Sequence, residues 1–439
     1  MSGFGRGKGS PVCVPSWEGE YTFGATYTTG GGVIGLVCRQ KGFSAERSNA
    51  RDAGAVNFRE CFMLDVGVLA LVPDVWTQQF QSRAHLLGAL AKYFRIVWIN
   101  PPHLRSESAI RSARTNVEGL TVYSAPWYLP KIHRTEWADR LTFRLRLKQA
   151  AAMLNARRVV LYIWRPQYIG AVDLLQHELS IYHIDDEYSF SEQEQPITPQ
   201  ERRAIETADA VFIHSPGLLE KKGGMNPRTV QIPNGVDFGL ASMHYPEPSD
   251  LASIPHPRIG YAGYVKKNLD WSLLEFLIAS RPQWNFVFVG EIHDRETEVI
   301  TNGIRLQHKN VFFLGTKNTF ELYTYPSHFD VCLMPYSLTA YAYYVYPLKL
   351  HEYLASGKPC VGCRMRSLLD FADVVALPQS ASDWLEAIEH ALRPSANEPK
   401  LVSRRRAIAE QHDWSRLAEK VAAVINESLP RPRQEILSN

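Results

Sequence analysis

The stretch "YPLKLHEYLASGKPCVG", residues 346–362, decides how this chain is read. Pro347 suits a first helical position, where its missing N–H is not needed. Leu350 and Leu354 make an i,i+4 apolar pair. Gly357 can end the helix in a left-handed conformation, Pro359 prevents its resumption, and a short apolar strand follows. Lys349 and Glu352 ride the first turns, three residues apart and near the helix end that attracts anions. Two readings of them stand open. One is a surface ion pair worth less than about 1 kcal/mol. The other is a clamp, with the lysine on phosphates and the carboxylate on sugar hydroxyls.

Outward from this stretch the chain alternates strand and helix. "VGVLALVP" (66–73) is a buried strand by composition, "SRAHLLGALAKYF" (82–94) has helical spacing, and "RIVWINPP" (95–102) is a second strand. "LTVYSAP", a basic helix around 136–155, "VVLYIW", "LSIYHID", a helix near 198–207, "AVFIHS" and "TVQIP" continue the pattern. A second series runs through "RIGYAGY", a helix at 270–280, "NFVFVG", "VFFLGT", a helix at 318–326, "DVCLMPY", the helix at 347–356, "PCVGC", "VVALP" and a helix at 381–392. Helices at about 400–411 and 413–428 close the chain. Such alternation means βαβ units and parallel sheets, so the fold class is α/β with two doubly wound domains facing a cleft. The expected divisions are 1–62, a first domain at 63–240, a linker at 241–256, a second domain at 257–411, and a closing helix and tail at 412–439. Ligands on such sheets lie beyond the strands' carboxyl ends, where Trp164, Arg165, Asp185, Asp186 and His214 fall.

Composition narrows the class. A length of 439 residues with 45% hydrophobic and 21% charged content fits two or three globular domains. A net charge of +3 offers no global case for nucleic-acid binding. No apolar run reaches bilayer length and no secretory signal is legible. Six cysteines suggest a reducing compartment, hence a cytoplasmic enzyme. Cys360 and Cys363 form a CxxC without a second pair, which argues against a metal or redox site. Residues 1–62 are glycine-dense without helical periodicity. They read as a disordered extension, or as one added by an upstream start codon with Met63 as the functional beginning.

Two such domains, "IPNGVD" at the hinge, "RIGYAGY", "FVFVG", "VFFLGT", "DVCLMPY", "PLKLHEYLASGKPCVG" and the closing "HDWSRLAEKV" together resemble GT-B fold glycosyltransferases, above all the retaining family 4 of nucleotide-sugar transferases. The likeness runs from about Gly67 to Leu429. It implies that the second domain holds the donor nucleotide, with Glu352 on the ribose hydroxyls and Lys349 toward the phosphates. An ionised carboxylate can accept two such hydroxyl bonds at once. It also implies a last helix that crosses back to brace the first domain, a chemistry that seldom needs a metal, and no cofactor.

Two departures from the family's pattern bear on the site. The family has two glutamates separated by seven residues, and counting back from Glu352 lands on Tyr344, inside the tyrosine-rich "YSLTAYAYYVYP". Hydroxyls of Tyr343 or Tyr344 could instead donate to a phosphate, beside Pro347 and Leu348. In "GYVKKNLDW" Tyr264 replaces the family's arginine, and Lys266 and Lys267 follow as point charges. Negative charge develops on the departing diphosphate, so Lys349, Lys266 or Lys267, and the amide of Gly263 are the expected stabilisers.

In the first domain, "IDDE" (184–187) offers Asp186 for acceptor or sugar contact, against a helix-cap role. His183 reads as a core histidine, and Ser215 after His214 as a helix cap. Trp76 and Arg83 in the 73–83 loop, with Trp164 and Arg165, are the acceptor-side candidates; Trp76 packed under its loop is the alternative. Between Lys131 and Arg158 eight lysines and arginines stand against two acids, interspersed with Trp137, Leu141, Phe143, Leu145 and Leu147. That pattern suits either an anionic membrane surface or a solvated helix face. The expected function is sugar transfer from a nucleotide-diphosphate sugar to a glycan or lipid-linked acceptor in cell-surface polysaccharide synthesis, at the inner face of the membrane and without nucleic acid. The alternatives are a catalytically silent nucleotide-sugar-binding homologue or scaffold, and a sugar-nucleotide epimerase.

Overall fold

The structure, a computed structural model, describes residues 65–430 except 77–81, 102–114, 126–135 and 192. The expectations for residues 1–62 and for the tail beyond 430 lie outside the described residues, as do parts of the 73–83 loop and of the basic stretch.

The first sheet has seven parallel strands: β1 (Val66–Leu71), β2 (Arg95–Ile99), β3 (Leu120–Tyr123), β4 (Arg158–Ile163), β5 (Leu179–Ile184), β6 (Ala210–Ile213) and β7 (Thr229–Gln231), in the order β3-β2-β1-β4-β5-β6-β7. The second has six: β8 (Arg258–Ala262), β9 (Asn285–Val289), β10 (Val311–Phe313), β11 (Val331–Met334), β12 (Cys360–Gly362) and β13 (Val375–Ala376), in the order β10-β9-β8-β11-β12-β13. Every residue of β1, β5, β6 and β8 is buried, as expected of parallel strands covered on both faces. The order reverses between β1 and β4 and between β8 and β11, which places a topological switch point in each domain.

Local chemistry sets the elements. Ser215, Asp270, Asp294 and Ser380 cap their helices by accepting backbone N–H groups. Gly260 lets the Phe329 ring lie against β8, since a Cβ there would stand 2.1 Å from it. The predicted helix at 318–326 is instead a short turn, Thr319–Leu322, followed by a 3-10 turn at Pro326–His328, because Pro326 interrupts the backbone ladder.

Helix Trp414–Ser428 lays Leu417, Val421 and Ile425 on the first domain's core beside Leu86, Leu87 and Leu90 of helix Ser82–Leu90. Its entry is tied to the hinge: the Val236 N–H donates to His412 O and the Trp414 N–H to Val236 O, each at 3.0 Å. The closing helix therefore belongs structurally to the first domain.

Candidate active site

Helix Lys349–Ser356 begins beside the switch point of the second sheet. Gly357 does cap it in a left-handed conformation, φ +81°. Pro347 is not at the first helical position; it is buried two residues before the helix, where its carbonyl accepts the Leu350 N–H at 3.3 Å. Leu348, exposed, takes the cap position without a side-chain bond, unlike the helices capped by Asp270 or Ser380. No side chain thus caps the helix start, while its second amide, that of Leu350, is taken by Pro347 O.

The ion-pair reading of Lys349 and Glu352 fails. Among the described residues neither makes an ion pair or a hydrogen bond. The lysine's Nζ lies over the Tyr261 ring, 4.9 Å from its centroid, and against Gly263. A Cβ at Gly263 would stand 2.4 Å from that Nζ, and its φ of +130° is one that L side chains rarely adopt. Gly263 therefore makes room for the lysine. Its amide is not an anion donor, because the N–H is spent on Val289 O at 2.7 Å. Burial raises the pKa of half-buried Glu352, and the neighbouring Lys349 partly opposes the rise. Lys349 and Glu352 thus stand three residues apart on one helix without pairing, beside a helix start that no side chain caps.

The two following lysines separate. Lys266 is half-buried with Nζ 4.9 Å from the Tyr264 ring centroid. Lys267 is exposed and pairs with Glu296 at 3.8 Å. Of the two, Lys266 is the one without an ion pair among the described residues.

The hydroxyls of Tyr343 and Tyr344 are already spent on carboxylates of the first domain. The 3-10 turn Tyr341–Tyr344 docks on the first domain, and each of three phenols donates to a carboxylate there: Tyr341 to Asp186, Tyr343 to Glu220, and Tyr344 to Glu194 at 2.8 Å. Arg366 adds an ion pair to Glu220 at 2.7 Å, and Lys221 sits 5.1 Å from the Tyr344 ring centroid. This turn follows β11 and Asp186 follows β5, so the carboxyl edges of the two sheets face each other across the contact. Tyr341, Glu194 and Glu220 were not anticipated from sequence; a tyrosine-rich loop was the only signal, and its partners lie more than a hundred residues away.

The acceptor-side candidates are mostly internal. Trp76 is buried edge-on to Trp98 at 5.1 Å, and its backbone N–H donates to Asn100 Oδ1 at 2.7 Å. Trp164 is buried in a stack with Tyr162 at 3.9 Å. Arg83 is neutralised by Asp74 and Asp185. Arg165 is half-buried, its guanidinium 4.3 Å from the Tyr188 ring centroid. Asp186 accepts the Glu187 N–H at 2.8 Å as well as the Tyr341 hydroxyl. His183 is a core residue bonded to Tyr162 Oη at 2.9 Å, and burial pushes its pKa down to about 3. His214 is buried, and Ser215 caps the next helix. Arg83, His183, Asp185, Asn234 and Trp414 line a cavity of about 20 Å³, room for roughly one water. Among the described residues no group of three or more His, Cys, Asp or Glu is arranged to hold a metal, and Cys332, Cys360 and Cys363 are buried free thiols.

Residues 256–393 match the family model described as Glycosyl transferases group 1, a span that contains Gly263, Lys266, Lys349 and Glu352. A putative teichuronic acid biosynthesis glycosyltransferase TuaH of Bacillus subtilis (strain 168) is 29% identical over 237 residues, covering 51% of this chain and 58% of that relative's length. Among solved structures, a glycosyltransferase from Rickettsia africae ESF-5 superposes with a TM-score of 0.60 at 11% identity, over 83% of this chain and 98% of that one. A trehalose-6-phosphate structure from E. coli bound with UDP-2-fluoro glucose gives a TM-score of 0.59 at 13% identity, over 83% and 100%. At such identities these structures speak to the fold, and the family model speaks to the second domain. The chain carries a glycosyl transferases group 1 domain within a two-domain GT-B glycosyltransferase fold.

Proposed function

We propose that this protein transfers a sugar from a nucleotide-diphosphate sugar to a glycan or lipid-linked acceptor in the synthesis of a cell-surface polysaccharide, with retention of anomeric configuration. The observation that carries the reading is the pair Lys349 and Glu352, unpaired with each other although three residues apart, beside Gly263 and an uncapped helix start. Such a pair matches a nucleoside diphosphate, whose phosphates need a cation and whose ribose hydroxyls need an acceptor. The relative named for teichuronic acid biosynthesis supports a cell-surface polysaccharide, and the neighbour bound with UDP-2-fluoro glucose supports a nucleotide sugar.

In mechanism, Lys349 and Lys266, at the uncapped start of helix Lys349–Ser356, stabilise the charge that grows on the departing diphosphate. Glu352 holds the ribose and so orients the reacting bond. The acceptor enters between the carboxyl edges, on the side of Asp186. Asp186 acts by positioning, because its carboxylate already holds the Tyr341 hydroxyl and the Glu187 amide.

A second reading, a silent nucleotide-sugar-binding homologue, is favoured by Tyr344. It stands where the resemblance expects a glutamate, and its hydroxyl is committed to Glu194. Titration of the full chain with nucleoside diphosphates and nucleotide sugars, alongside Glu352→Ala and Lys349→Ala, tests the site. Release of nucleoside diphosphate in the presence of acceptors tests the activity. Binding that neither substitution weakens would sink both readings, and binding without turnover on any acceptor would favour the second.

A further inference from the structure

His351 is the neighbour of Glu352, yet the mechanism above does not use it. At about 100° per residue it stands about 200° round the helix from Lys349, so the two point to opposite sides. His351 is fully buried, and its ring stacks on that of His412, centroid to centroid at 3.9 Å and 16° from parallel. Its Nε2 is hydrogen-bonded to Tyr346 Oη at 2.9 Å. Phe371 stands edge-on to both imidazoles, at 5.4 Å and 5.7 Å. Burial lowers the pKa of both histidines, so both rings are neutral near pH 7. Among the described residues Nδ1 of His351 has no hydrogen-bond partner. A buried nitrogen left unpaired costs stability that a phenylalanine in the same place would not. Filling the core therefore does not account for the histidine.

The stack meets both segments that cross between the domains. Residues 234–238 lead from the first domain into the second, and residues 412–414 lead back, paired in parallel at Val236 and Asp413. Besides the two bonds that Val236 makes, the Phe238 N–H donates to Asp413 Oδ2 at 2.9 Å. A Cβ at Gly235 would stand 2.7 Å from His412 O, so the glycine lets the segments close up. On the other side, Asn234 Nδ2 donates to Tyr346 O at 2.9 Å. The Tyr346 ring lies 5.7 Å from that of His351 and 6.4 Å from that of His214, just past β6 in the first domain. One series of rings thus runs from His214 of the first domain through the donor helix to His412. We propose that His351 is a positioning residue for transfer: through Tyr346 and His412 it pins the donor helix to both crossing segments, so that Lys349 and Glu352 stand at a fixed place relative to the first domain's carboxyl edge. The proposal rests on the donor site inferred above. The bond from the imidazole fixes the Tyr346 ring in one direction, where apolar ring packing alone would let it slide.

Hydrogen exchange of the full chain, read on peptides that cover the two crossing segments, tests the pin with no ligand present. His351→Phe deletes the bond and leaves the Tyr346 hydroxyl buried alone, so the thermal midpoint should fall and the crossing amides should exchange about 2- to 10-fold faster. His351→Phe combined with Tyr346→Phe leaves neither partner of that bond buried alone. Its midpoint should return to the wild-type value or exceed it, while the crossing amides stay fast. Exchange that is unchanged in either variant, or that recovers together with the midpoint, would overturn the proposal and make His351 a filler of the core. Exchange that rises equally across the whole second domain would do the same. Titration with UDP, GDP and ADP then links the pin to the donor site. Bound nucleotide should slow the crossing amides of the wild type, and the variants should bind it about as tightly yet lose that effect; variants that keep it would overturn the proposal. A wild type that binds none of the three would sink the donor reading, while the ligand-free exchange would still decide the pin.

Discussion

Replacing Gly263 by alanine tests the geometry of the donor site with one methyl group. The glycine has φ +130°, and the new Cβ would stand 2.4 Å from both Cε and Nζ of Lys349. Two costs follow and they separate. Holding an L residue in that conformation costs about 1–3 kcal/mol, read as lost stability. The overlap is relieved by moving the flexible lysine, which, under the proposed function, removes its ammonium from the donor phosphates. A hydrogen bond to a charged group is worth about 1.5–3 kcal/mol, so affinity should fall about 10- to 150-fold. Lys349→Ala loses the same contact directly. The double variant should therefore bind no more weakly than Lys349→Ala alone, while its stability loss still includes the backbone strain. Isothermal titration calorimetry with nucleoside diphosphates, paired with thermal unfolding, reads both quantities. Wild-type affinity in Gly263→Ala would refute the reasoning, and so would affinity losses that simply add in the double variant.

Three further outcomes follow from buried charge. Glu352 must be ionised to accept ribose hydroxyls, and burial raises its pKa, so donor affinity should fall with decreasing pH at a higher pH than for an ordinary carboxylate; Lys349→Ala should move that midpoint further up and Glu352→Gln should abolish it, as calorimetry across pH would show. Lys222 is fully buried between Glu187 at 2.9 Å and Glu201 at 2.6 Å, so Lys222→Met should cost about 3–5 kcal/mol in denaturant unfolding; a loss under about 1 kcal/mol would mean that the carboxylates find water or protons at no cost. His183, held neutral with its pKa near 3, charges more readily when unfolded, so its share of stability is present above pH 6.5 and is lost as pH falls toward 3; His183→Gln should reduce that slope by about 1.4 kcal/mol per pH unit, and an unchanged slope would contradict the burial account.

What the sequence by itself determined is what depends on neighbours along the chain. Runs such as "VGVLAL" and "AVFI" are strands because their apolar residues must be buried on both faces, and the structure buries every one of them. Gly357 ends its helix because only a residue without Cβ takes φ +81° freely. The apolar positions of "WSRLAEKVAAVI" already marked one face of the closing helix for burial. Lys349 and Glu352 were legible as a pair, but whether they bind each other or a ligand was not. Tertiary structure kept them from pairing with each other by drawing the lysine over Tyr261 and into the space left by Gly263, a residue 86 positions away. It also turned Trp76 and Trp164 inward, spent Arg83 on two aspartates, and committed three tyrosines to carboxylates of the other domain. A polar or aromatic side chain beyond a strand end has the same local sequence whether it meets solvent, a ligand or another domain. Its partner is chosen by packing between segments more than a hundred residues apart, such as Tyr341 and Asp186, and no local spacing encodes that choice.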